Sequence, residues 1–489
     1  MISLDPVAQV RIPAMSFTAT VRQLKRILGD DGVLHRPEDL LLYEYDAGFS
    51  RGIPGVVAFP RTTGHVAEIM RLASQAGVSV VPRGAGTGLS GGAISRDGGI
   101  ILAFSRMNRI LEIDLPNQRA VVQPGVVNLE LTRAVEREGY YFAPDPSSQK
   151  ACTIGGNVAE NSGGPHTLAY GVTVNHVTGL EMVLPDGRVV NLGGKAAGAA
   201  GYDLTGFFVG SEGTLGVATA ITVKLTRLPE SVATLLGIFN TIDDAANTVV
   251  AITAAGITPA ALEMLDGWTL RVVEEAAHAG YPLDSGAVLL IEIEGLREAV
   301  EEQAAAIEQV CRQQEAREVR RARSDAEREL LWKGRKNAFA SLGRLSPSYY
   351  TQDGVVPRTK IPETLRFVDG VSKKYGLRIG NIFHAGDGNL HPCILFDARD
   401  KQQTARTLAA GRDILEYCVS LGGTLTGEHG IGMEKSNFMP MLFSQENMEV
   451  MSSLRQAFNP RGVLNPMKLL PTTRGCRELR TPLMPRVVS

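Results

Sequence analysis

The stretch Val80-Val-Pro-Arg-Gly-Ala-Gly-Thr-Gly-Leu-Ser-Gly-Gly92 decides how the rest of the chain is interpreted. An apolar segment, residues 77–81, leads into it and predicts a strand. Five glycines then fall within nine residues, which is more than a tight turn requires. Because glycine has no Cβ, such a loop exposes consecutive backbone N–H groups that suit a pyrophosphate. The stretch predicts a phosphate-binding loop, and a tight turn that binds nothing is the alternative.

Residues 86–91 also match the G-x-G-x-x-G pattern of dinucleotide-binding βαβ units. Such a pattern should open a helix at once, but here the chain continues through Gly98 and Gly99 into a second apolar segment, residues 100–104. Upstream, residues 56–59 indicate a strand, and Thr63 is the expected cap of a helix that runs to residue 75. The sequence therefore favours a strand–loop–strand arrangement over a Rossmann unit.

Length and composition restrict the class of protein. A chain of 489 residues predicts two or three domains. Charged residues make up 21% and the net charge is -2, so no basic field indicates a nucleic-acid partner. The five cysteines form no C-x-x-C pair, which excludes an iron–sulfur cluster held by this chain alone and predicts a reducing compartment. No apolar run predicts a signal peptide or a transmembrane segment, so we expect a cytoplasmic protein.

Further glycine-rich or polar stretches follow at residues 144–148, 153–165 and 208–216. Their glycines permit close backbone approach, while Asn157 and Asn161 supply side-chain hydrogen bonds. An ordinary polar loop is the alternative for the middle stretch. After residue 230 the pattern changes to alternating strands and longer helices, which predicts a separate α+β domain. The mixed charges of residues 317–329 indicate a solvated face.

The sharpest feature of the second half is His384-Ala-Gly-Asp-Gly-Asn-Leu-His391. A two-residue hairpin loop at residues 387–388 would place the two histidines directly opposite each other, with Cβ atoms about 4.5–5.5 Å apart. Glu428 offers a carboxylate, and His429 offers a base beside it. Two histidines and one carboxylate bind a divalent ion and leave coordination positions open. A structural histidine pair is the alternative.

Residues 81–92, 144–148, 155–161 and 210–216, in this order, resemble the flavin-binding signature of the vanillyl-alcohol-oxidase-type FAD oxidases. Over residues 20–470 the chain is similar to the branch that contains bacterial glycolate oxidase beside D-lactate and D-2-hydroxyglutarate dehydrogenases. The resemblance implies an α+β fold with a two-part FAD-binding domain, an α+β substrate or cap domain, and a C-terminal helical segment that returns to the FAD-binding domain. The expected divisions are an arm at 1–50, the FAD-binding domain at 51–229, the cap at 230–425 and the C-terminal segment at 426–489.

The resemblance also implies the site residues. Residues 82–92 contain no histidine that could link a flavin, so non-covalent FAD is expected. His429 is expected to abstract a proton, Arg335 to hold the substrate carboxylate, and His384, His391 and Glu428 to bind one zinc, manganese or iron ion. The expected FAD-binding residues are Pro82, Arg83, Gly84, Ala85, Gly86, Thr87, Gly88, Ser90, Gly91, Pro144, Asp145, Ser148, Gly155, Gly156, Asn157, Glu160, Asn161, Gly163, Gly171, Glu212, Gly213, Gly216 and Asn465.

The implied activity is oxidation of a short 2-hydroxy acid to the 2-oxo acid. Thr351 and Gln352 stand ahead of Asp353, where the hydroxyglutarate branch carries a lysine. Cys393, which follows His391 and Pro392, stands where that branch tends to be polar. A second substrate carboxylate is therefore poorly provided for, and glycolate or D-lactate is favoured. The implied partners are a second FAD-domain subunit and an iron–sulfur subunit, with quinone as electron acceptor and peripheral attachment to the inner membrane through these subunits. The alternatives are a D-2-hydroxy acid dehydrogenase acting alone, a nicotinamide-dependent dehydrogenase, and a non-enzymatic flavoprotein.

Overall fold

The computed structural model describes residues 14–96, 98–196, 198 and 201–471. The strands of the N-terminal half are β1 (Val33–Leu34), β2 (Val56–Ala58), β3 (Val80–Arg83), β4 (Ile100–Ala103), β5 (Ile110–Asp114), β6 (Arg119–Val122), β7 (Tyr140–Tyr141), β8 (Val177–Val183), β9 (Val189–Gly193), β10 (Val217–Lys224) and β11 (Thr226–Arg227). Its helices are α1 (Ala14–Leu28), α2 (Pro37–Leu40), α3 (Thr63–Ala76), α4 (Asn128–Val135), α5 (Ile154–Glu160), α6 (Thr167–Tyr170) and α7 (Leu204–Phe208).

The strands of the C-terminal half are β12 (Ser231–Phe239), β13 (Ala261–Asp266), β14 (Ala287–Gly295), β15 (Ala316–Arg321), β16 (Ser348–Thr351), β17 (Gly354–Val355), β18 (Arg378–His384) and β19 (Asn389–Phe396). Its helices are α8 (Ile242–Ala254), α9 (Gly267–Ala277), α10 (Arg297–Gln313), α11 (Asp325–Lys336), α12 (Ala338–Leu342), α13 (Ile361–Tyr375), α14 (Lys401–Ser420), α15 (Met439–Leu442) and α16 (Gln445–Phe458).

The first sheet has the strand order β1-β2-β4-β3, and its last three strands are parallel. Helices α1 and α3 pack on it through Leu24, Ile69 and Met70, all fully buried. The cap of α3 is Thr62, whose side chain accepts the His65 N–H at 3.2 Å, and not Thr63 as the sequence predicted. Within the predicted arm, β1 is a strand of this sheet because it pairs with β2, and α1 packs beside α3.

The second sheet is antiparallel with the order β5-β6-β10-β8-β9, and helices α4 and α5 pack on it through Leu131, Ile154 and Val158. Strands β8 and β9 form a hairpin, with Gly187 at φ 83° in its turn. Residues 154–160 were predicted only as a polar, glycine-rich stretch, yet they form a helix because the Thr153 hydroxyl accepts the Gly156 N–H at 3.3 Å and caps it.

The third sheet has the order β15-β12-β14-β13-β18-β19-β16, with β17 paired to β19, and it is antiparallel throughout. Helices α8, α10 and α13 cover one face, and α9, α11 and α12 cover the other. Consecutive strand residues such as Leu235 and Leu236 therefore enter different cores, which explains why the central strands β12 and β14 are largely apolar. The predicted α+β composition of this half is confirmed.

After α16 the chain returns to the first sheet. The Val80 N–H donates to the Val463 carbonyl at 2.8 Å, and the Asn465 N–H donates to the Val80 carbonyl at 2.7 Å. These bonds place the C-terminal segment beside β3, where the first glycine loop begins. We propose on this basis the division into residues 51–229, 230–425 and 426–489, with residues 1–50 as the N-terminal part.

Candidate active site

The first glycine loop connects two parallel neighbours, β3 and β4, and no described residue between them is helical. The predicted strand–loop–strand arrangement is therefore confirmed. The Arg83 guanidinium fixes the loop by donating to the carbonyls of Tyr45 at 2.7 Å and Ala93 at 3.3 Å. Gly86 adopts φ 73°, a conformation that favours glycine.

The loop borders a cavity, called here the main cavity, that is open to solvent. One wall, the glycine wall, consists of residues 82–88, 155–157 and 211–213. Another, the imidazole wall, consists of His391, Glu428 and His429. The cavity therefore joins the first glycine loop to the predicted metal and base residues.

Most of the predicted FAD-binding residues line this cavity: Pro82, Arg83, Gly84, Ala85, Gly86, Thr87, Gly88, Ser148, Gly155, Gly156, Asn157, Glu160, Glu212, Gly213, Gly216 and Asn465. The others do not line it: Ser90, Gly91, Pro144, Asp145, Asn161, Gly163 and Gly171. Thr153, Phe339, Tyr349 and Thr351 also line the cavity, although the sequence analysis did not include them among the cofactor-binding residues. The last three come from the third-sheet domain, and no local motif marks them.

The residues outside the wall have structural contacts instead. The Asp145 carboxylate is hydrogen-bonded to His166 Nδ1 at 2.9 Å, and the Pro144 carbonyl accepts a hydrogen bond from the Asn128 side-chain amide at 2.9 Å. Asn161 ends α5 at φ 56° and accepts the Val174 N–H at 2.8 Å. These residues shape the loops behind the wall, so the motif residues are close to the cavity without all facing it.

The glycine wall fits FAD. A Cβ on Gly84 would collide with the Thr153 hydroxyl, whereas a Cβ on Gly88 would meet only open space. Two buried atoms of residues that line the same cavity, Glu160 Oε2 and Asn465 Oδ1, have no hydrogen-bond partner among the described residues. Buried polar atoms are normally paired, so these two indicate that a ligand completes the lining.

The histidine hairpin has a different register from the predicted one. His384 pairs with Asn389, and His391 pairs with Ile382, so the loop contains four residues, 385–388, rather than two. The shift is two residues, which preserves the face of each side chain because strand side chains alternate. The imidazole ring centroids are 5.1 Å apart. The predicted opposition is wrong, but the predicted proximity is confirmed.

The donor atoms of His384, His391 and Glu428 lie within 4.8 Å of one another. Glu428 Oε1 is 3.0 Å from His384 Nε2 and 3.5 Å from His391 Nε2. Ligands about 2.1 Å from one ion are separated by distances of this size. Imidazole and carboxylate donors suit zinc, manganese and iron alike, so these residues fit a divalent ion.

A layer of buried groups supports the cluster from behind. Glu263, which the sequence analysis missed, accepts His384 Nδ1 at 2.7 Å through Oε1. This bond leaves His384 Nε2 as the donor atom toward an ion, the usual arrangement of a metal-bound histidine. Burial opposes the charged form of His384, but Glu263 and then Glu428 outweigh it and raise the pKa of His384 to about 10.

Arg335 does not line the main cavity. It is 1% exposed, and its Nη2 lies 2.5 Å from Glu263 Oε2. The guanidinium therefore neutralises the carboxylate that holds His384. Its Nε has no hydrogen-bond partner among the described residues. The expected contact with a substrate carboxylate would require the side chain to turn toward the cavity.

Asp353 organises the loop that carries Glu428 and His429. Its fully buried carboxylate accepts the backbone N–H groups of Gly427 at 3.1 Å and His429 at 3.0 Å, and the Thr426 hydroxyl. It also accepts the Asn389 amide at 2.8 Å and the Lys435 ammonium at 3.2 Å. All of these groups donate hydrogen bonds to the carboxylate. Asp353 is therefore the anion that the loop requires, and few of its oxygen lone pairs remain for a metal ion.

His429 is placed as a neutral base. Its ring stacks on His391 at 4.7 Å between centroids and 13° between planes. Burial lowers the pKa of His429 to about 4, with His391 acting in the same direction and Asp353 opposing. For Glu428, burial is outweighed by His384 and His391, which hold its pKa at about 2. At neutral pH the imidazole is uncharged and can accept a proton.

A second group, His166 with Glu292, connects the two halves of the chain. Glu292 is fully buried and accepts both Arg328 Nε and Nη2 at 2.8 Å, Trp332 Nε1 at 2.6 Å and His166 Nε2 at 3.2 Å. Its oxygens are therefore already used, which argues against a metal there. Arg328 was predicted to lie on a solvated charged face, but this ion pair places it at the domain junction.

Two family matches cover most of the chain. Residues 54–193 match the FAD binding domain family, and residues 228–469 match the FAD linked oxidases, C-terminal domain family. The chain is 44% identical over 469 residues to glycolate oxidase subunit GlcD of Escherichia coli K12, covering 96% of this chain and 94% of that one. Identity to the GlcD subunit of Bacillus subtilis strain 168 is also 44%, over 91% of this chain and 96% of the other.

More distant relatives include a mitochondrial D-lactate dehydrogenase (cytochrome) of Arabidopsis thaliana, 31% identical over 92% of this chain and 80% of that one. Among solved structures, p-cresol methylhydroxylase with substrate bound superposes with a TM-score of 0.80 at 16% identity, covering 94% of this chain and 97% of the other.

The chain belongs to the family of FAD-linked oxidases that contains the GlcD subunits. It is an FAD-dependent oxidoreductase with the vanillyl-alcohol-oxidase-type fold: a two-part FAD-binding domain, an α+β domain over it, and a C-terminal segment that returns to the first sheet. No described helix is long and apolar enough to cross a membrane.

Proposed function

We propose that this protein oxidises a short 2-hydroxy acid, glycolate or D-lactate, to the corresponding 2-oxo acid. The observation that carries the proposal is the single cavity whose walls contain both the first glycine loop and the trio His391, Glu428 and His429. The names of the GlcD and D-lactate dehydrogenase relatives support the same substrate class.

The glycine wall would hold FAD non-covalently. When bound, FAD supplies a two-electron acceptor for the hydride of the substrate α-carbon. Residues 82–92 contain no histidine, and the histidines that line the cavity, His391 and His429, belong to the other wall. A covalent link through the first glycine loop would therefore lack its usual partner.

His384, His391 and Glu428 would hold the divalent ion. The ion supplies Lewis acidity that makes the substrate hydroxyl more acidic and orients its carboxylate. His429 then takes the hydroxyl proton, because burial and the stacked His391 keep its imidazole neutral. The loss of one proton to His429 and one hydride from the α-carbon together account for the two-electron oxidation.

The pocket beside the imidazole wall supports a small substrate. Phe339, Tyr349 and Thr351 border the cavity there, and Cys393, which contacts Thr351 at 3.5 Å, is fully buried. None of these side chains carries a positive charge that could bind a second carboxylate. This composition supports glycolate or D-lactate over a 2-hydroxy diacid.

Electrons would leave through other subunits. The described cysteines, Cys152, Cys311, Cys393 and Cys418, are buried and distributed over four separate elements or loops. We propose a second FAD-domain chain and an iron–sulfur chain as partners, with quinone as the final acceptor. A D-2-hydroxy acid dehydrogenase that acts alone is the second candidate, supported by the Arabidopsis relative.

Product analysis with an artificial acceptor tests the proposal without partner subunits. The purified chain is supplied with FAD, a redox dye and one acid at a time, and the 2-oxo acid is identified as its hydrazone. Glyoxylate from glycolate, or pyruvate from D-lactate, is the expected product. Dye reduction by none of the 2-hydroxy acids would contradict the proposal.

A further inference from the structure

A second cavity, which we call the rear cavity, also reaches the cluster of predicted metal ligands. This rear cavity has about 560 Å³ of empty space and is bordered by Thr167, Val172, His384, Asp387, Thr426 and Glu428. Glu428 is therefore part of both cavities, whereas His391 and His429 line the main one and His384 lines the rear one.

The two oxygens of Glu428 have different surroundings. Oε1 lies 3.0 Å from His384 Nε2, within the cluster. Oε2 lies on the side of Gly163, 3.1 Å from where a Cβ of that residue would stand. Gly163 borders the rear cavity, so a larger residue there would narrow the passage to the carboxylate.

The rear cavity has the chemistry of a cation path. Its acidic members are Asp387 and Glu428, its threonines add oxygen atoms, and His384 is the third titratable group that borders it. The Asp387 carboxylate has no hydrogen bond or ion pair in the part of the chain that is described, although the positive charges of His384 and, more weakly, Arg358 act on it. Oxygen donors exchange readily with the water shell of a divalent ion.

The main cavity is a poor path once the enzyme is assembled. In the proposed function its walls hold FAD and substrate, so an ion that entered there would share its path with both ligands. We propose that the rear cavity is the port through which the divalent ion enters and leaves the FAD-loaded enzyme, with Asp387 as the carboxylate that attracts it. This inference rests on the metal site of the proposed function.

Uptake kinetics test the port directly. FAD-loaded protein is stripped with a chelator and mixed with Zn²⁺ at low ionic strength and pH 8, and free Zn²⁺ is followed with a fluorescent indicator. We expect Asp387→Asn to slow uptake about 5–10-fold while the final zinc content stays at that of the wild type, since a charge at the entrance acts on the association rate.

Two further variants separate charge from space and from general effects. Val172→Trp should narrow the port and slow both uptake and chelator-driven release about 5-fold or more. Asp369→Asn removes the same charge from an exposed position on α13, where it pairs with Lys373, and should leave uptake unchanged. The Asp387→Asn effect should shrink at high salt, because salt screens attraction at an entrance.

Four results would overturn the inference. If Asp387→Asn takes up zinc at the wild-type rate, the carboxylate does not attract the ion. If the final zinc content of this variant is lower than that of the wild type, Asp387 is a ligand instead. Uptake that accelerates strongly when FAD is removed places the entry in the main cavity. If the wild type binds no zinc, manganese or iron, the proposed metal site fails as well, which distinguishes that failure from failure of the port alone.

Discussion

The glycine wall and the imidazole wall of the main cavity are built in opposite ways. In the glycine wall, backbone and small residues from the first and second sheets form the surface, and the absence of side chains at positions such as Gly84 and Gly88 creates the space. In the imidazole wall, side chains from β19 and from the loop after α14 form the surface, and buried Asp353 contacts both the His391 ring and the backbone of that loop.

This difference predicts different consequences of mutation. A change in the glycine wall should reduce FAD binding and leave metal content intact. A change in the imidazole wall, or in the residues behind it, should reduce chemistry or metal binding and leave FAD in place. The following experiments test this separation, beginning with the largest expected effect.

His429→Asn should lower the rate of flavin reduction about 10³–10⁴-fold, because the other imidazole of the wall, His391, is engaged as a metal ligand in the proposed function. Stopped-flow absorbance under anaerobic conditions measures the rate, and FAD and metal contents should equal those of the wild type. His278→Asn is the matched control, since His278 is exposed at the end of α9 in a conformation that asparagine tolerates. Loss of FAD from His429→Asn would contradict the separation of the walls.

Asp353→Asn should lower kcat about 10²-fold with a smaller change in KM. The amide nitrogen of asparagine would face N–H and O–H donors and no acceptor, so the loop of Glu428 and His429 would shift. Steady-state kinetics with a redox dye measure the split between kcat and KM, and circular dichroism checks the fold. An unchanged kcat would show that the loop does not need this anion.

Arg335→Met should weaken metal binding about 10–100-fold, because it removes the charge that balances Glu263 behind His384. Metal content is measured after dialysis against a graded chelator, and KM is then measured with the ion at saturation. A large rise in KM with normal metal content would instead show that Arg335 turns toward the cavity and binds the substrate carboxylate.

Metal affinity should increase with pH, by about tenfold per unit over much of the range from pH 5 to 9. The ion must displace a proton from His384, whose pKa Glu263 and Glu428 raise to about 10 against the effect of burial, while Glu428 is already ionised. Competition titrations with a chelator of known pH dependence measure the slope. A pH-independent affinity would mean that His384 is not a ligand.

Gly84→Ala should weaken FAD binding about 10-fold, because the new Cβ would meet the Thr153 hydroxyl and displace the loop. Fluorescence quenching of added FAD measures the affinity, and metal content should not change. Gly370→Ala serves as the control: it lies inside α13 with no atom near its Cβ position and should stabilise the helix slightly. Equal FAD affinity in both variants would weaken the case for the glycine wall.

The sequence was most informative where function depends on the backbone. Successive glycines in residues 84–92 predicted a loop without a following helix, and the structure has such a loop between β3 and β4. The His384 and His391 pair was also visible, because alternation fixed the shared face even though the loop length and register were wrong. Local periodicity does not determine how many residues a hairpin loop contains.

The buried layer behind the imidazole wall could not be predicted in the same way. Glu263 lies on β13, far from any motif, and reaches His384 only because β13 and β18 are neighbours in the third sheet. Asp353 meets its donors through the turn after β16. Similarly, Asp145 appeared in a cofactor motif but turns away to His166. Such contacts depend on strand order, which one sequence does not reveal.

The most direct test of the account is the anaerobic visible spectrum of the FAD-loaded protein before and after addition of glycolate, D-lactate or L-lactate, with and without prior removal of the metal. The account predicts that glycolate or D-lactate bleaches the flavin bands, that removal of the metal abolishes bleaching, and that the restored ion recovers it. Flavin that no 2-hydroxy acid reduces, or that is reduced equally well in metal-free protein, would contradict the central claim that both walls act on one substrate.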